Sequence, residues 1–512
     1  MGTEERDIVA QNLEGSVEDR IVATTEGLVR GRASGGVERF LGIPFAQSPD
    51  GPLRFAEPRR VQPWPGVRDA LAYGPAAPQS PDVPRDAMFD LPPHEWSETD
   101  CLTLNVWTPG GRPVAAAAPS RPVMVWIHGG AFLLGSGSDP SHDGARLART
   151  RDVIVVTINY RLGALGFLAA AGVPTNLGLR DQVLALEWVR DNIGAFGGDP
   201  DNVTIFGQSA GAMSAVCLLA APAATGLFHR VIVQSGSGEF AAERDAALAI
   251  GAEFSELLAA ELGTGTELFD APVGELLRVQ ADFERMMEER GIITPFIPVV
   301  DGEWLPEQPL RAIAAGRAAQ VPVLLGHTRN EGRMFTELVP MPPMPEPAVA
   351  AAFAQAFTDS EAARAEYRAS ERWTGGTDLF AALLGDELFV QPTERLAVAL
   401  VGAGHPTWRY RFDWSSTARG GVLGSCHSLE IPFVFDLLDL PGLERFTGED
   451  PPQHIADFMS AAWTAFARSG RAPWPEFEPS TRICQVIDEH LETISDPGKE
   501  RRHLWERLGR GA

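Results

Sequence analysis

The sequence predicts an α/β protein built on a doubly wound, mostly parallel sheet with helices on both faces. Three observations carry this. Five short runs rich in β-branched residues, VMVWIH (123–128), VIVVTI (153–158), VTIF (203–206), VIVQ (231–234) and VPVLLG (321–326), are almost continuously apolar, as strands covered on both faces are. The stretches between them are long enough for crossover helices, and in one of them Leu179, Val183, Leu186 and Ile193 recur at helical spacing. That helix runs into GGDPDN, a glycine–proline stop before the next strand.

The remaining elements follow in chain order. MGTEERDIVAQNLEGSVEDR has no basic segment followed by an apolar core, so residues 1–20 are expected to be a solvated acidic tail and no secretory signal. GLVRGRASGGVERFLGIPFA reads as two strands joined at the Ser34 to Gly36 turn. GGRPVAAAAPSRP (110–122) and MPPMPEPAVAAAFAQAF (341–357) read as loop insertions. With no internal repeat, residues 21–512 are expected to form a single domain. TWRYRFDW (407–414) is a late strand.

Composition excludes several classes. Of 512 residues, 44% are hydrophobic and 22% charged, the balance of a soluble globular chain. No run approaches the ~18 apolar residues that span a bilayer. A net charge of -25 disfavours nucleic acid and anionic membranes as partners. Cys101, Cys217, Cys426 and Cys484 are scattered without metal-ligand spacing, so neither a metal nor a dense disulfide scaffold is expected. The reading is a cytoplasmic monomer or small homo-oligomer.

In IFGQSAGAM (205–213), Ser209 stands between two glycines directly after an apolar run. If VTIF is a strand and AGAMSAVCLL a helix, Ser209 sits on a strained turn that exposes its hydroxyl, and Gly207 and Gly211 allow close strand–helix approach. The helix start beside it offers unpaired N–H groups to a developing anion. A serine hydroxyl needs a base and an orienting acid, and in α/β-hydrolases the chain order is Ser, Asp or Glu, then His. The strand VPVLLG runs into HTRNEGRMF, which offers Glu331, and GSCHSLEIPFVF after TWRYRFDW offers His427. WIHGGAFLLGSG breaks from strand into Gly129, Gly130 and Ala131, whose backbone N–H groups can hold an oxyanion.

These residues closely resemble the type B carboxylesterase family of α/β-hydrolases, nearest its bacterial para-nitrobenzyl esterase branch. The likeness runs from about residue 21 to 480 through FLGIPFAQSPDGPLRFAEP, DCLTLNVWTP, VMVWIHGGAF, NYRLGALGFL, NLGLRDQVLALEWVRDNIGAFGGDPDNVTIFGQSAGAMS, GLFHRVIVQSG, RNEGRMF and CHSLEIPFVF. The resemblance implies Ser209 as nucleophile, Glu331 as acid and His427 as base. It implies an oxyanion hole from Gly130, Ala131 and the N–H of Ala210, with Gly129 shaping the loop, and Ser235 and Glu430 supporting the triad. No metal or organic cofactor is implied.

Three departures stand out. The family usually has Glu before the nucleophile and this chain has Gln208, which removes a negative charge that a cationic ester would use. Ala77 replaces the cysteine that pairs with the DCL cysteine in cholinesterases. Cys101 is thereby left unpaired, and the stretch of about 77–101 is expected to be a lid-like loop, as is about 340–390. Ala131 stands where many members have a third glycine. Phe132, Leu133, Met334 and Phe335 adjoin these groups and are expected, with Gln208, to form an apolar pocket for neutral short- to medium-chain or aryl esters. Cys426, next to His427, is expected within reach of a bulky thiol reagent. The alternatives are an amidase or carbamate hydrolase using the same triad, a non-catalytic cholinesterase-like binding module, and a lipase acting on aggregated lipid.

Overall fold

The computed structural model describes residues 17–81, 88, 93–110, 120–263, 268–338, 343–370, 372 and 375–510. Twelve strands lie side by side: β1 (Glu18–Ala23), β2 (Leu28–Ser34), β3 (Val37–Pro44), β4 (Thr103–Pro109), β5 (Arg121–Ile127), β6 (Ile154–Ile158), β7 (Gly198–Gln208), β8 (Arg230–Gln234), β9 (Val323–Thr328), β10 (Thr407–Phe412), β11 (Ile483–Ile487) and β12 (Leu491–Ser495). Their spatial order is β1-β2-β3-β4-β6-β5-β7-β8-β9-β10-β11-β12, and a short strand, Val67–Asp69, pairs with β2. From β6 to β11 every pairing is parallel. The edges are antiparallel, β1 to β4 on one side and β12 on the other.

The continuous apolar strands have a packing cause. Along β5, Val123, Val125 and Ile127 face one layer of the core while Met124 and Trp126 face the other. The same alternation splits Val231 and Val233 from Ile232, and Val323 and Leu325 from Leu324. Both faces are covered, so both parities of side chain are mostly apolar. On the first face lie α1 (Leu177–Asn192), the crossover helix expected from its spacing, and α2 (Ala210–Ala220). Every residue of α2 is buried, which accounts for its run of small and apolar side chains. Arg161, at the exit of β6, clasps Asp181 of α1 through two contacts of 2.7 and 2.8 Å, both residues fully buried.

The structure departs from the sequence reading in three places. Residues 1–16 lie outside the described residues, and Glu18–Arg20, assigned to the acidic tail, already belong to β1. The stretch GGDPDN ends the helical run as expected, with Gly197 capping it at φ 86°, but β7 already begins inside it, at Gly198. The stretch of about 340–390, expected as a lid-like loop, holds three helices, α3 (Glu346–Ala356), α4 (Ser360–Ser370) and α5 (Gly376–Gly385). They bury Phe353, Phe357 and Tyr367 against Trp505 of a C-terminal helix, Lys499–Leu508. The Tyr367 hydroxyl donates to Asp386 at 2.6 Å and accepts from Trp505 Nε1 at 3.0 Å, so this segment has a core of its own. A π-helical turn, Asp386–Val390, follows α5, and the Gln391 N–H reaches back five residues to the Asp386 carbonyl.

Candidate active site

Ser209 joins β7 to α2 with φ 55° and ψ -126°, a conformation that L-residues seldom adopt. Two bonds pin it: its N–H donates to the Gln234 carbonyl at 2.9 Å and its carbonyl accepts from Met213 N at 2.8 Å. Gly211 is required because a methyl there would fall on the Ile127 carbonyl oxygen, and one on Gly207 would meet the Gly211 backbone. The strand, the elbow and the helix are thus compressed into one rigid corner.

Glu331 follows β9 and His427 follows β10, both beyond the carboxyl ends of parallel strands, where open sheets gather their ligands. His427 Nδ1 lies 2.5 Å from Glu331 Oε2. The other carboxylate oxygen accepts from the Ser235 hydroxyl at 2.6 Å and from Thr328 N at 2.8 Å. Burial pushes the Glu331 carboxyl up, but the His427 imidazole and the Ser235 hydroxyl outweigh it and hold the group below its ordinary range. Asn330 ties the two loops together, its N–H donating to the Ser425 carbonyl at 2.8 Å and its side chain accepting from Ser425 N at 3.1 Å. The rings of Phe335 and Phe389 close on the imidazole at 5.5 and 4.3 Å between centroids.

After β5 the chain turns through Gly130 (φ 109°), Ala131 (φ 55°) and Phe132 (φ 64°). The Gly130 carbonyl accepts from the N–H groups of Leu133 and Leu134, each at 2.9 Å. Among the described residues, the N–H groups of Gly130, Ala131 and Ala210 have no partner within the chain. His128 braces this turn: its ring stacks on Tyr160 at 4.4 Å and its Nδ1 meets the Gly129 carbonyl at 2.8 Å. Burial pushes the imidazole down to about 3, so the ring is neutral and Nδ1 donates. Gln79 clamps the other end of the turn, accepting from Gly135 N at 2.8 Å and donating to Gly135 O at 2.9 Å.

A cavity of about 200 Å³ gathers Ser209, Gln208, His427, Gly129, Gly130 and Ala131. Its apolar wall includes Met334 and Phe335, as expected, together with Met88, Leu134, Ile431 and Phe446. Phe132 and Leu133, also expected there, lie outside its lining. The positive φ at Ala131 and Phe132 turns the Phe132 ring inward, edge-on to Phe167 at 4.9 Å and stacked near Phe240 at 6.2 Å, and Leu133 packs against the same core. Leu134 takes their place. A larger cavity of about 330 Å³ lies beyond Asn330, where Arg409, Arg411 and Arg501 are paired with Glu394, Asp413 and Asp386.

Several residues at the site escaped the sequence. Gln79 is 56 positions from the turn it clamps. His94, 3.2 Å from Asp139, stands at a polar end of the cavity. Gln234 accepts from Trp463 Nε1 at 2.9 Å and passes a hydrogen bond to Glu430 Oε1 at 3.2 Å. Gln79 and His94 sit in no motif, and Gln234, though it lies within GLFHRVIVQSG, reads there only as the end of a strand. Of the stretch about 77–101, residues 82–87 and 89–92 lie outside the described residues, and its ends are held by the Gln79 bonds and by the pairing of Ala76 with Trp96.

Glu430 is fully buried, and burial followed by the nearby Glu331 charge pushes its carboxyl up to about 7. A folded-state value above the ordinary 4.5 means that ionisation opposes folding. The stability cost is absent below about 4.5, grows as pH rises to about 7 and is constant above it. Glu430→Gln is therefore expected to gain stability over wild type by on the order of 3 kcal/mol at pH 8 and by little at pH 5. Urea unfolding at both values checks this, and an equal difference at the two would contradict it.

A doubly wound sheet whose strand ends deliver an elbow serine, an acid and a histidine in that chain order defines an α/β-hydrolase. A model of the carboxylesterase family matches residues 18–505. The chain is 39% identical over 501 residues to the para-nitrobenzyl esterase of Bacillus subtilis (strain 168), covering 94% of this chain and 98% of that one. It is 35% identical over 497 residues to the phenmedipham hydrolase of Pseudarthrobacter oxydans, with 93% and 97% covered. The solved structure of a thermophilic pNB esterase superposes with a TM-score of 0.82 at 37% identity, covering 94% and 99%. A carboxylesterase of Geobacillus stearothermophilus does so at 0.79 and 35%, with the same coverage. The chain belongs to the carboxylesterase family and is a carboxylic ester hydrolase.

Proposed function

We propose that Ser209 attacks the carbonyl carbon of a neutral ester while His427 Nε2 takes the hydroxyl proton. Glu331, on the opposite ring nitrogen, holds the imidazole in the Nδ1–H tautomer and stabilises the imidazolium that forms. The N–H groups of Gly130, Ala131 and Ala210 receive the oxyanion, each such donor being worth on the order of 3 kcal/mol in related hydrolases. His427 then protonates the departing alcohol, and water drawn through the same base hydrolyses the acyl-enzyme. What carries this reading is the 2.5 Å contact between His427 and Glu331 at the wall of a cavity that also holds Ser209 and the unpartnered N–H groups of Gly130 and Ala131.

The substrates are neutral esters of short to medium acyl chain or of aryl alcohols. The apolar wall of Met88, Met334, Phe335 and Phe446 supports this, as does the para-nitrobenzyl group in the name of one relative. Hydrolysis of para-nitrophenyl acetate, butyrate and octanoate, each beside the matched anilide, tests it. Acetate and butyrate are expected to turn over at least about a hundredfold faster than their anilides, because the amide leaving group is poorer. Equal rates would turn the assignment to an amidase.

All four cysteines are buried as free thiols, which supports a reducing, cytoplasmic location. Among the described residues no helix is long and apolar enough to cross a membrane. Cys426, expected within reach of reagents, is fully buried and burial pushes its thiol up. The native enzyme is therefore expected to keep its activity in excess dithionitrobenzoate and to release all four thiols only when unfolded. Rapid loss of activity in the folded state would contradict this.

A further inference from the structure

The amide of Gln208, one residue before Ser209, lies 3.0 Å from His427 Nε2, and both residues are buried. The opposite nitrogen, Nδ1, is occupied by Glu331, whose carboxyl is held below its ordinary range and is ionised. Nδ1 therefore carries the proton, and Nε2 offers one in-plane lone pair. Only an N–H can satisfy that lone pair, which fixes the amide with its nitrogen toward the ring. Among the described residues the Ser209 hydroxyl makes no hydrogen bond. Two donors, the Ser209 O–H and the Gln208 N–H, thus compete for one acceptor.

We propose that Gln208 is a positioning residue for the hydrolysis: its amide N–H caps the base nitrogen of His427 and keeps the imidazole neutral until Ser209 displaces it. This rests on the catalytic roles proposed above. When substrate brings the Ser209 hydroxyl onto Nε2, the amide withdraws. Once Nε2 has accepted the Ser209 proton it becomes a donor, and a half-turn of the amide presents Oε1 to it. No other proton moves. A glutamate at this place could only accept, and its charge would favour the imidazolium in the resting enzyme.

Other titratable groups surround the base. Glu331 and His327 come from β9 and its turn, Tyr410 from β10, Glu430 from the segment of His427 itself, and His128, His142, His94 and Asp139 from the cavity side. Glu430, pushed up to about 7, would add a titration of its own to the measured profile, so it is neutralised by substitution in the test.

The experiment is the pH dependence of kcat/KM for para-nitrophenyl butyrate in the full-length Glu430→Gln enzyme, with and without Gln208→Glu. The acid limb is expected to move up by about one pH unit with the glutamate, a tenfold loss on the acid side. Gln208→Met, which removes both polar ends and keeps the bulk, is expected to move it the same way by about half as much, and it serves if the buried glutamate prevents folding. A limb that stays in place or moves down in the folded variants overturns the proposal. Titration of the His427 ring by NMR in Ser209→Ala separates the two readings. A Gln208-dependent titration there supports the cap without any turnover, whereas full activity of Ser209→Ala would sink the catalytic roles.

Discussion

Ser209→Ala is expected to lower kcat/KM for para-nitrophenyl butyrate by on the order of 10⁵ while leaving the fold intact. The alanine removes only the attacking oxygen. The three N–H groups and the cavity remain, so the residual rate should still exceed that of water by a few orders of magnitude. A companion variant isolates the backbone term. Ser209 holds φ 55° and ψ -126°, a conformation that costs a side-chain-bearing residue about 1–3 kcal/mol. Ser209→Gly is expected to be equally inactive yet about 1 kcal/mol more stable than Ser209→Ala, after allowing for glycine's larger entropy loss on folding. Retention of more than a percent of activity by either variant would remove Ser209 from the chemistry.

Glu331→Gln is expected to cost about 10³ to 10⁴ in kcat, with KM changed much less. One carboxylate oxygen faces donors from Ser235 and Thr328, and the other faces His427 Nδ1. An amide NH₂ must face one of these donors. Directed at His427, it leaves Nδ1 to accept and moves the ring proton to Nε2, where the Ser209 proton can no longer go. Directed at Ser235 and Thr328, it sets two donors against a third in a fully buried site. The first arrangement is cheaper, because only a proton has to move. NMR of the His427 ring is expected to show the proton on Nε2 in the variant. A wild-type tautomer together with wild-type kcat would refute the role given to Glu331.

The parallel half of the sheet was readable because it is buried twice. In Val123 to Ile127 each parity of residue meets a different core layer, so the apolar run has no other economical structure. The antiparallel edges carry no such signature. EDRIVA of β1 is exposed or half-buried along its length, and its charges resemble those of the tail that precedes it. The stretch of about 340–390 has the biased composition of an insertion and no strand or helix signal as plain as those of the sheet, yet Pro347 sits in the first turn of α3, where a missing N–H costs nothing. At the site, chain order and the glycine spacing led to Ser209, Glu331 and His427. The direction of Phe132 did not follow, because it depends on positive φ values that alanine and phenylalanine do not announce. Gln79, His94 and Gln234 are joined to the site by tertiary contacts alone.

The π-helical turn at Asp386–Val390 makes the length of the chain a part of the site. Such a turn is an α-helix carrying one surplus residue, and here it sets the Phe389 ring 4.3 Å from the imidazole of His427. Deleting a single residue of this turn ahead of Phe389 would let α5 run on as ordinary helix and would swing the Phe389 side chain by about 100°. Phe389 would then leave the imidazole although its codon and its helix both survive. Substitution scanning, which never changes spacing, would overlook this dependence.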